Sequence, residues 1–142
     1  MLTFTSACQD VIVVLCDEPT SLTDAYALIK VLNRECSVKR FQILASMMDD
    51  AVQGRQLFDK LCSVTDRFLD IHMGYLGDIP RDDYLRRAVR AQRPVISEYP
   101  RSESARAFRS LTDRVLALPA NQTAGGLGFF VERMLDLRRG KA

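Results

Sequence analysis

Few side chains in this sequence are placed to do chemistry. The single histidine, His72, has no serine or cysteine nucleophile and no acidic partner at readable spacing, so it reads as an ordinary strand residue, packed or at the surface. The carboxylate pairs Asp49-Asp50 and Asp82-Asp83 each precede an apolar-periodic run. Helix capping and attraction to the helix dipole account for them without catalysis. Cys8, Cys16, Cys36 and Cys62 form no CxxC pair and have no histidine at metal-ligand spacing, which indicates reduced thiols of a cytosolic protein. Arg86, Arg87, Arg90 and Arg93, with Arg101, Arg106 and Arg109 after them, make a basic stretch. It reads as a solvated helix face or as a salt-sensitive surface for phosphates. Ala88 and Val89 interrupt it and no aromatic residue interleaves Arg86–Arg93, which favours the solvated face.

The bulk composition bounds the answer. The chain has 142 residues, 47% of them hydrophobic and 27% charged, the profile of one ordinary soluble domain with a real core. No run of eighteen apolar residues is long enough to span a bilayer. The start, MLTFTSACQD, lacks a basic n-region, so a signal peptide is not expected. Charge is unevenly spread. Residues 1–70 carry 7 Lys/Arg against 10 Asp/Glu, and residues 71–142 carry 13 against 8. A basic second half suits an anionic partner, whether nucleotide, lipid or DNA.

The elements that must position these groups alternate. Val11–Leu15 is a β-branched run expected of a strand buried on both faces. Thr20 and Ser21 are expected to cap a helix that carries Leu22, Ala25, Leu28, Ile29 and Leu32 on its apolar side and runs to about Arg34. Phe41–Met47 reads as a second buried strand. Asp49–Thr65 reads as a helix with Val52, Leu57, Leu61 and Val64 inward, although Gly54 weakens it. Leu69–Leu76 reads as a third strand broken by Gly77-Asp78-Ile79-Pro80. Asp82 or Asp83 caps a helix that Pro94 stops, and Ser102–Leu118 is another. The order β-α-β-α-β-α-α predicts an α/β fold, a partial parallel sheet of about three strands flanked by helices. So short a sheet has unpaired edges, which points to a remainder supplied from elsewhere.

Residues 119–126 have the Pro, Gly and polar content of a linker, and residues 127–142 form a separate amphipathic segment. Leu127, Phe130, Val131, Met134, Leu135 and Leu137 fall within one helical arc of about 160°. Phe129 is the misfit, and Arg138 falls within the apolar arc with a stem long enough to snorkel. Arg138, Arg139 and Lys141 add basic charge. The pattern suits a helix lying in an anionic membrane interface, with a helix docked on the domain's own core as the rival.

Five segments, in order, carry a family resemblance: EPTSLTDAYALIK (Glu18–Lys30), QGRQLFDKL (Gln53–Leu61), VTDRFLDI (Val64–Ile71), YLGDIPRDDYLRRAVRAQRPV (Tyr75–Val95) and YPRSESARAF (Tyr99–Phe108). Together they resemble the MinD/ParA-type deviant Walker ATPases, nearest to the flagellar-number regulators of the FlhG/FleN branch. The match runs from about Asp10 to Leu118, so residues 1–118 are expected to be the C-terminal half of a MinD-like P-loop NTPase domain. The resemblance implies an ATP-dependent dimer that binds the inner face of the cell membrane and limits flagellar number or placement. ATP and Mg²⁺ are the family's cofactors, and homodimerisation or flagellar regulatory proteins are its implied partners. It also implies that Ser46, Ile79, Pro80, Arg81 and Asp82 form the adenine side of the nucleotide site. Read without the resemblance, Pro80 and Asp82 are a β-α turn with a capping aspartate. Asp24 and Lys30 are implied on a dimer or partner face, with a solvated ion pair as the alternative.

Two departures shape the functional expectation. The sequence contains no GKGGVGKT-like run, and the family's switch aspartates belong before Asp10. Phosphate binding needs backbone N–H groups at a helix N-terminus together with Lys and Mg²⁺. The chain alone is therefore expected neither to bind ATP well nor to hydrolyse it. Ser46 stands where the family usually has an asparagine that reads the adenine edge, so one hydroxyl replaces a paired donor and acceptor. The resulting reading is a truncated MinD-like regulatory or binding module, with its residues 127–142 at the membrane. The alternatives are a ParA-like nonspecific DNA-binding remnant, or one piece of an ATPase split or truncated at its start.

Overall fold

A computed structural model describes residues 10–119. Its elements are β1 (Val11–Leu15), α1 (Pro19–Cys36), β2 (Arg40–Met48), α2 (Ala51–Thr65), β3 (His72–Pro80), α3 (Asp83–Arg90), α4 (Val95–Glu98) and α5 (Glu103–Leu116). The three strands are parallel in the order β1-β2-β3, with Val13 opposite Ile43 and Ile43 opposite Tyr75. This is the predicted α/β arrangement, a partial MinD-like sheet with helices against it. The amphipathic segment, with Leu127, Phe130, Val131, Met134, Leu135, Leu137, Arg138 and Arg139, lies outside the described residues, as does Cys8.

One side of the sheet holds the core. Val13, Leu15, Phe41, Ile43, Ala45 and Met48 pack with Ala25, Ile29 and Leu32 of α1 and Leu57 and Leu61 of α2. α5 packs on the opposite side at β3, where Leu76 and Ala105 are buried. β1 departs from expectation. Its residues alternate instead of being buried throughout, and Ile12 and Val14 are 41% and 58% exposed. Among the described residues the helical cover of β1 lies on one side only, so the β-branched run fills that face and Ile12 and Val14 stand on the other. Val52 and Val64, expected inward on α2, and Leu28 on α1 are also exposed.

The helix starts follow local chemistry. α1 begins at Pro19, which suits a first-turn position because its missing N–H needs no partner. Thr20 and Ser21 therefore sit inside the helix and do not cap it. Ser21 Oγ instead accepts from Cys16 N–H at 3.1 Å, tying the helix to the end of β1. α2 has the expected acidic cap: Asp50 Oδ1 accepts from Gln53 N–H at 2.7 Å. Gly54 is fully packed there. A Cβ on it would come within 2.5 Å of Tyr75 Oη and 3.2 Å of Asp78 Cβ, so the glycine is what allows α2 to approach β3 closely.

β3 does not stop at Gly77. It continues to Pro80 through a bulge: Tyr75 opposes Ile43, but Gly77 opposes Leu44, leaving Leu76 as the extra residue. Gly77 has φ +146, open to glycine and strained for other residues, so the residue that looks like a breaker is the one that lets the strand go on. Arg114 Nη1 donates to Leu76 O at 2.8 Å across the bulge. α3 ends at Arg90, short of the Arg93 end and Pro94 stop expected from sequence: Ala91 is its C-cap and Gln92 turns left-handed at φ 54. Pro94 instead caps the start of the short α4, which the sequence periodicity did not indicate.

Candidate functional site

The strands deliver their C-terminal ends to one edge of the domain, where ligands of open parallel sheets bind. There β2 has a second irregularity: Ser46 opposes Ile79, Met48 opposes Pro80, and Met47 is the extra residue, with φ 60. A left-handed methionine is uncommon. Here it turns the end of β2 outward beside the start of α3. The result is a cleft of about 640 Å³ lined by Ser46, Met47, Pro80, Arg81, Asp82, Leu85, Arg86, Val89 and Arg90.

Four of the five residues expected on the base side, Ser46, Pro80, Arg81 and Asp82, meet around this cleft. Ile79 does not line it; the residue is buried and its backbone faces Ser46 in the ladder. Met47, Leu85 and Val89 supply the apolar walls. Arg86 and Arg90, read from sequence only as members of a basic stretch, stand on the cleft side of α3. Their spacing of four residues was the available signal, because it places both on one helix face.

Asp82 has a double role. Its Oδ1 accepts from Tyr84 N–H at 2.8 Å, which caps α3. Its Oδ2 accepts from Ser104 N–H at 3.0 Å and Ser104 Oγ at 2.7 Å, in the first turn of α5. Ser104 is fully buried. Partial burial pushes the Asp82 carboxyl up, but the bonds from Ser104, from Tyr84 N–H and from the Ser102 hydroxyl outweigh it and hold the group below the ordinary aspartate range. One carboxylate thus ties two helix N-termini together.

A polar ridge runs across the strand ends beside the cleft. Gln53 Nε2 donates to Asp17 Oδ2 at 3.1 Å, and Gln53 Oε1 accepts from Asp49 N–H at 2.7 Å. Arg81 Nε donates to Asp49 Oδ1 at 3.0 Å, and its own N–H bonds to Met48 O at 2.8 Å. Asp49 and Arg81 are both solvent-exposed, so their pair orients the loops more than it stabilises the fold.

Several other arginines of the basic stretch are engaged locally: Arg93 with Glu98 at 3.2 Å, Arg106 with Glu103 at 4.0 Å, and Arg109 with Pro100 O at 2.7 Å. His72 is exposed at the start of β3, far from the strand ends. Cys16, Cys36 and Cys62 are partly buried and form no disulfide. Burial, then the charges of Asp66 and Asp59, push the Cys62 thiol up, which makes it a poor nucleophile. Among the described residues no group of three His, Cys, Asp or Glu side chains could hold a metal ion, and no helix is long and apolar enough to cross a membrane.

No protein-family model matches the sequence. The chain is 50% identical over 138 residues to the antiactivator FleN of Pseudomonas aeruginosa, covering 96% of this chain and 49% of that protein. The chain belongs to the FlhG/FleN branch of the MinD/ParA family. A more distant member, the flagellum site-determining protein YlxH of Helicobacter pylori, is 29% identical over 91 residues, which is 63% of this chain and 30% of YlxH. The chain thus spans about half the length of FleN and under a third of YlxH is matched.

Proposed function

We propose that this chain provides the base-side half of a nucleotide-dependent switch that regulates flagellar number and placement. The observation that carries the reading is the convergence of Ser46, Pro80, Arg81 and Asp82 on one cleft at the strand ends. The cleft fits a purine in size and chemistry. Pro80, Met47, Leu85 and Val89 offer apolar surface for the faces of a ring, and Ser46 and Arg81 offer polar groups for its edge. The phosphates do not find an equivalent set, because the sequence has no GKGGVGKT-like run. In the intact family ATP and Mg²⁺ supply the switching chemistry; this chain's residues would orient the base and exclude water from it. Alone, the chain acts as a binding or regulatory module and not as an ATPase.

The membrane arm of the proposal rests on sequence pattern. Leu127, Phe130, Val131, Met134, Leu135 and Leu137 would enter the interface of an anionic bilayer, with Arg138 and Arg139 at its headgroups. That would hold the protein at the inner face of the cell membrane, with a homodimer or flagellar regulatory proteins as partners.

The base-side reading is tested by amide NMR of the full chain titrated with ATP at millimolar concentration. Shifts should cluster at Ser46, Met47, Arg81 and Val89. Val89→Glu alters only an exposed wall residue, 67% accessible, and should remove the response while leaving the rest of the spectrum unchanged. Shifts that map elsewhere would refute the reading. The regulatory arm is tested by counting flagella per cell in a strain expressing the wild-type chain or the Val89→Glu variant.

A further inference from the structure

The polar chemistry of the cleft is one-sided. Its polar side chains are Ser46, Arg81, Asp82, Arg86 and Arg90. Three are guanidinium groups, which donate hydrogen bonds and never accept them. The single carboxylate, Asp82, has both oxygens occupied by Tyr84 and Ser104. Ser46 contributes one hydroxyl, which rotates to donate or accept and does not present a fixed donor–acceptor pair.

The three arginines are not equally committed. Arg81 bonds to Asp49 at 3.0 Å and Arg86 to Asp83 at 3.4 Å. Arg90 makes no ion pair among the described residues. It is exposed on the last turn of α3, and its fork of donors is available to a ligand.

Purines declare their class at position 6. A 6-aminopurine shows a donor amino group beside acceptor N7, a pattern that a side-chain amide reads with two bonds. A 6-oxopurine shows two acceptors, O6 and N7, which an arginine reads with two bonds. A lining of three guanidinium groups, one rotatable hydroxyl and no unoccupied carboxylate has donors for the second pattern and no fixed device for the first. We propose that the cleft binds 6-oxopurine nucleotides at least as well as 6-aminopurine nucleotides, with Arg90 as the specificity-determining residue. The proposal rests on the base-side reading of the cleft and names the class of base it takes.

The test compares GTP, ITP and ATP on the full chain by amide NMR, following Ser46, Met47 and Val89. GTP and ITP should bind as tightly as ATP or tighter. Arg90→Gln removes a charge that favours every triphosphate, so the readout is the ratio of GTP to ATP affinity. That ratio should fall by about tenfold, the value of one lost bidentate contact. Ser46→Asn supplies the amide pattern and should move the ratio toward ATP by about fivefold. If ATP binds at the cleft with clear preference over GTP and Arg90→Gln leaves the ratio unchanged, the inference is overturned while the base-side reading survives. If no nucleotide shifts the cleft amides at several millimolar, both are overturned.

Discussion

Replacing Asp82 by alanine should destabilise the domain far more than a half-exposed loop aspartate ordinarily would. Its carboxylate caps α3 through Tyr84 N–H and accepts two bonds from the fully buried Ser104. Loss of a helix cap costs about 1 kcal/mol. Leaving the buried Ser104 N–H without an acceptor, and its hydroxyl with only Ser102 Oγ at 3.3 Å, costs about 1–3 kcal/mol more. The expected total is about 2–4 kcal/mol. With a urea slope of about 2 kcal/mol/M for a domain of this size, the unfolding midpoint should fall by about 1–2 M. Ser104→Ala removes one of the donors, so the two changes should couple in a double-mutant cycle by at least about 0.5 kcal/mol. The carboxyl is held below its ordinary value when folded. Its contribution is therefore fully present above the unfolded aspartate value of about 3.9 and is lost as pH falls through the lower folded value. Asp82→Asn should flatten that acid limb of the stability profile. A loss below about 1 kcal/mol for Asp82→Ala, or strict additivity with Ser104→Ala, would refute the two-helix tie.

The purified chain should show no Mg²⁺-dependent ATP hydrolysis; turnover that co-purifies with the chain and disappears with Val89→Glu would sink the division of labour proposed for it. Among the described residues no strand pairs with the outer edge of β1, and Ile12 and Val14 are 41% and 58% exposed, so β1 should promote self-association. Val14→Lys should lower the weight-average mass in sedimentation without loss of secondary structure, and a strictly monomeric wild type at high concentration would contradict the idea. Anionic vesicles should co-sediment with the wild-type chain. Phe130→Glu should abolish this at any salt, whereas Arg139→Ala should weaken it by about 1 kcal/mol and mainly at low salt; wild type that stays in the supernatant would rule out the membrane arm.

The strand and helix order was legible because its signals are local. The β-branched runs and the caps Asp50, Asp82 and Ser102 all act within a few residues, and each cap forms the bond its residue type suggests. What escaped depends on contacts distant in sequence. Gly54 weakens a helix by propensity, yet Tyr75 and Asp78, on another strand, make it the residue that fits. Gly77 has the composition of a break, but pairing with β2 carries β3 through it as a bulge. The exposure of Ile12 and Val14 could not be read from β1, since a β-branched run says that a strand suits a sheet and not how many faces are covered. The base-side residues were legible only through family resemblance. Their meeting with Met47, Val89 and Arg90 required the left-handed turn at Met47, for which the sequence, having no glycine or asparagine there, gives no cue.

The outer wall of the cleft depends on the ends of one short helix. α3 spans only Asp83–Arg90, and Ala88 is its one fully buried residue. A helix of eight residues has little stability of its own, so its position must come from its ends. At the C-terminal end, Ala91 N–H and Arg93 N–H turn back to Arg87 O and Ala88 O at 2.9 and 3.0 Å, which closes the helix on itself. At the N-terminal end, Asp82 binds Tyr84 and Ser104 together, and this fixes the helix to α5. The placement of Leu85, Arg86, Val89 and Arg90 around the cleft therefore depends on a residue whose acceptors are spent on protein and not on ligand. Loss of Asp82 should weaken ligand binding through the geometry of the wall. Ser104→Ala should do so in proportion to its effect on stability, even though Ser104 does not line the cleft. A direct base contact from Asp82 would instead leave binding untouched by Ser104→Ala, and measuring both variants separates a residue that holds the wall from one that holds the ligand.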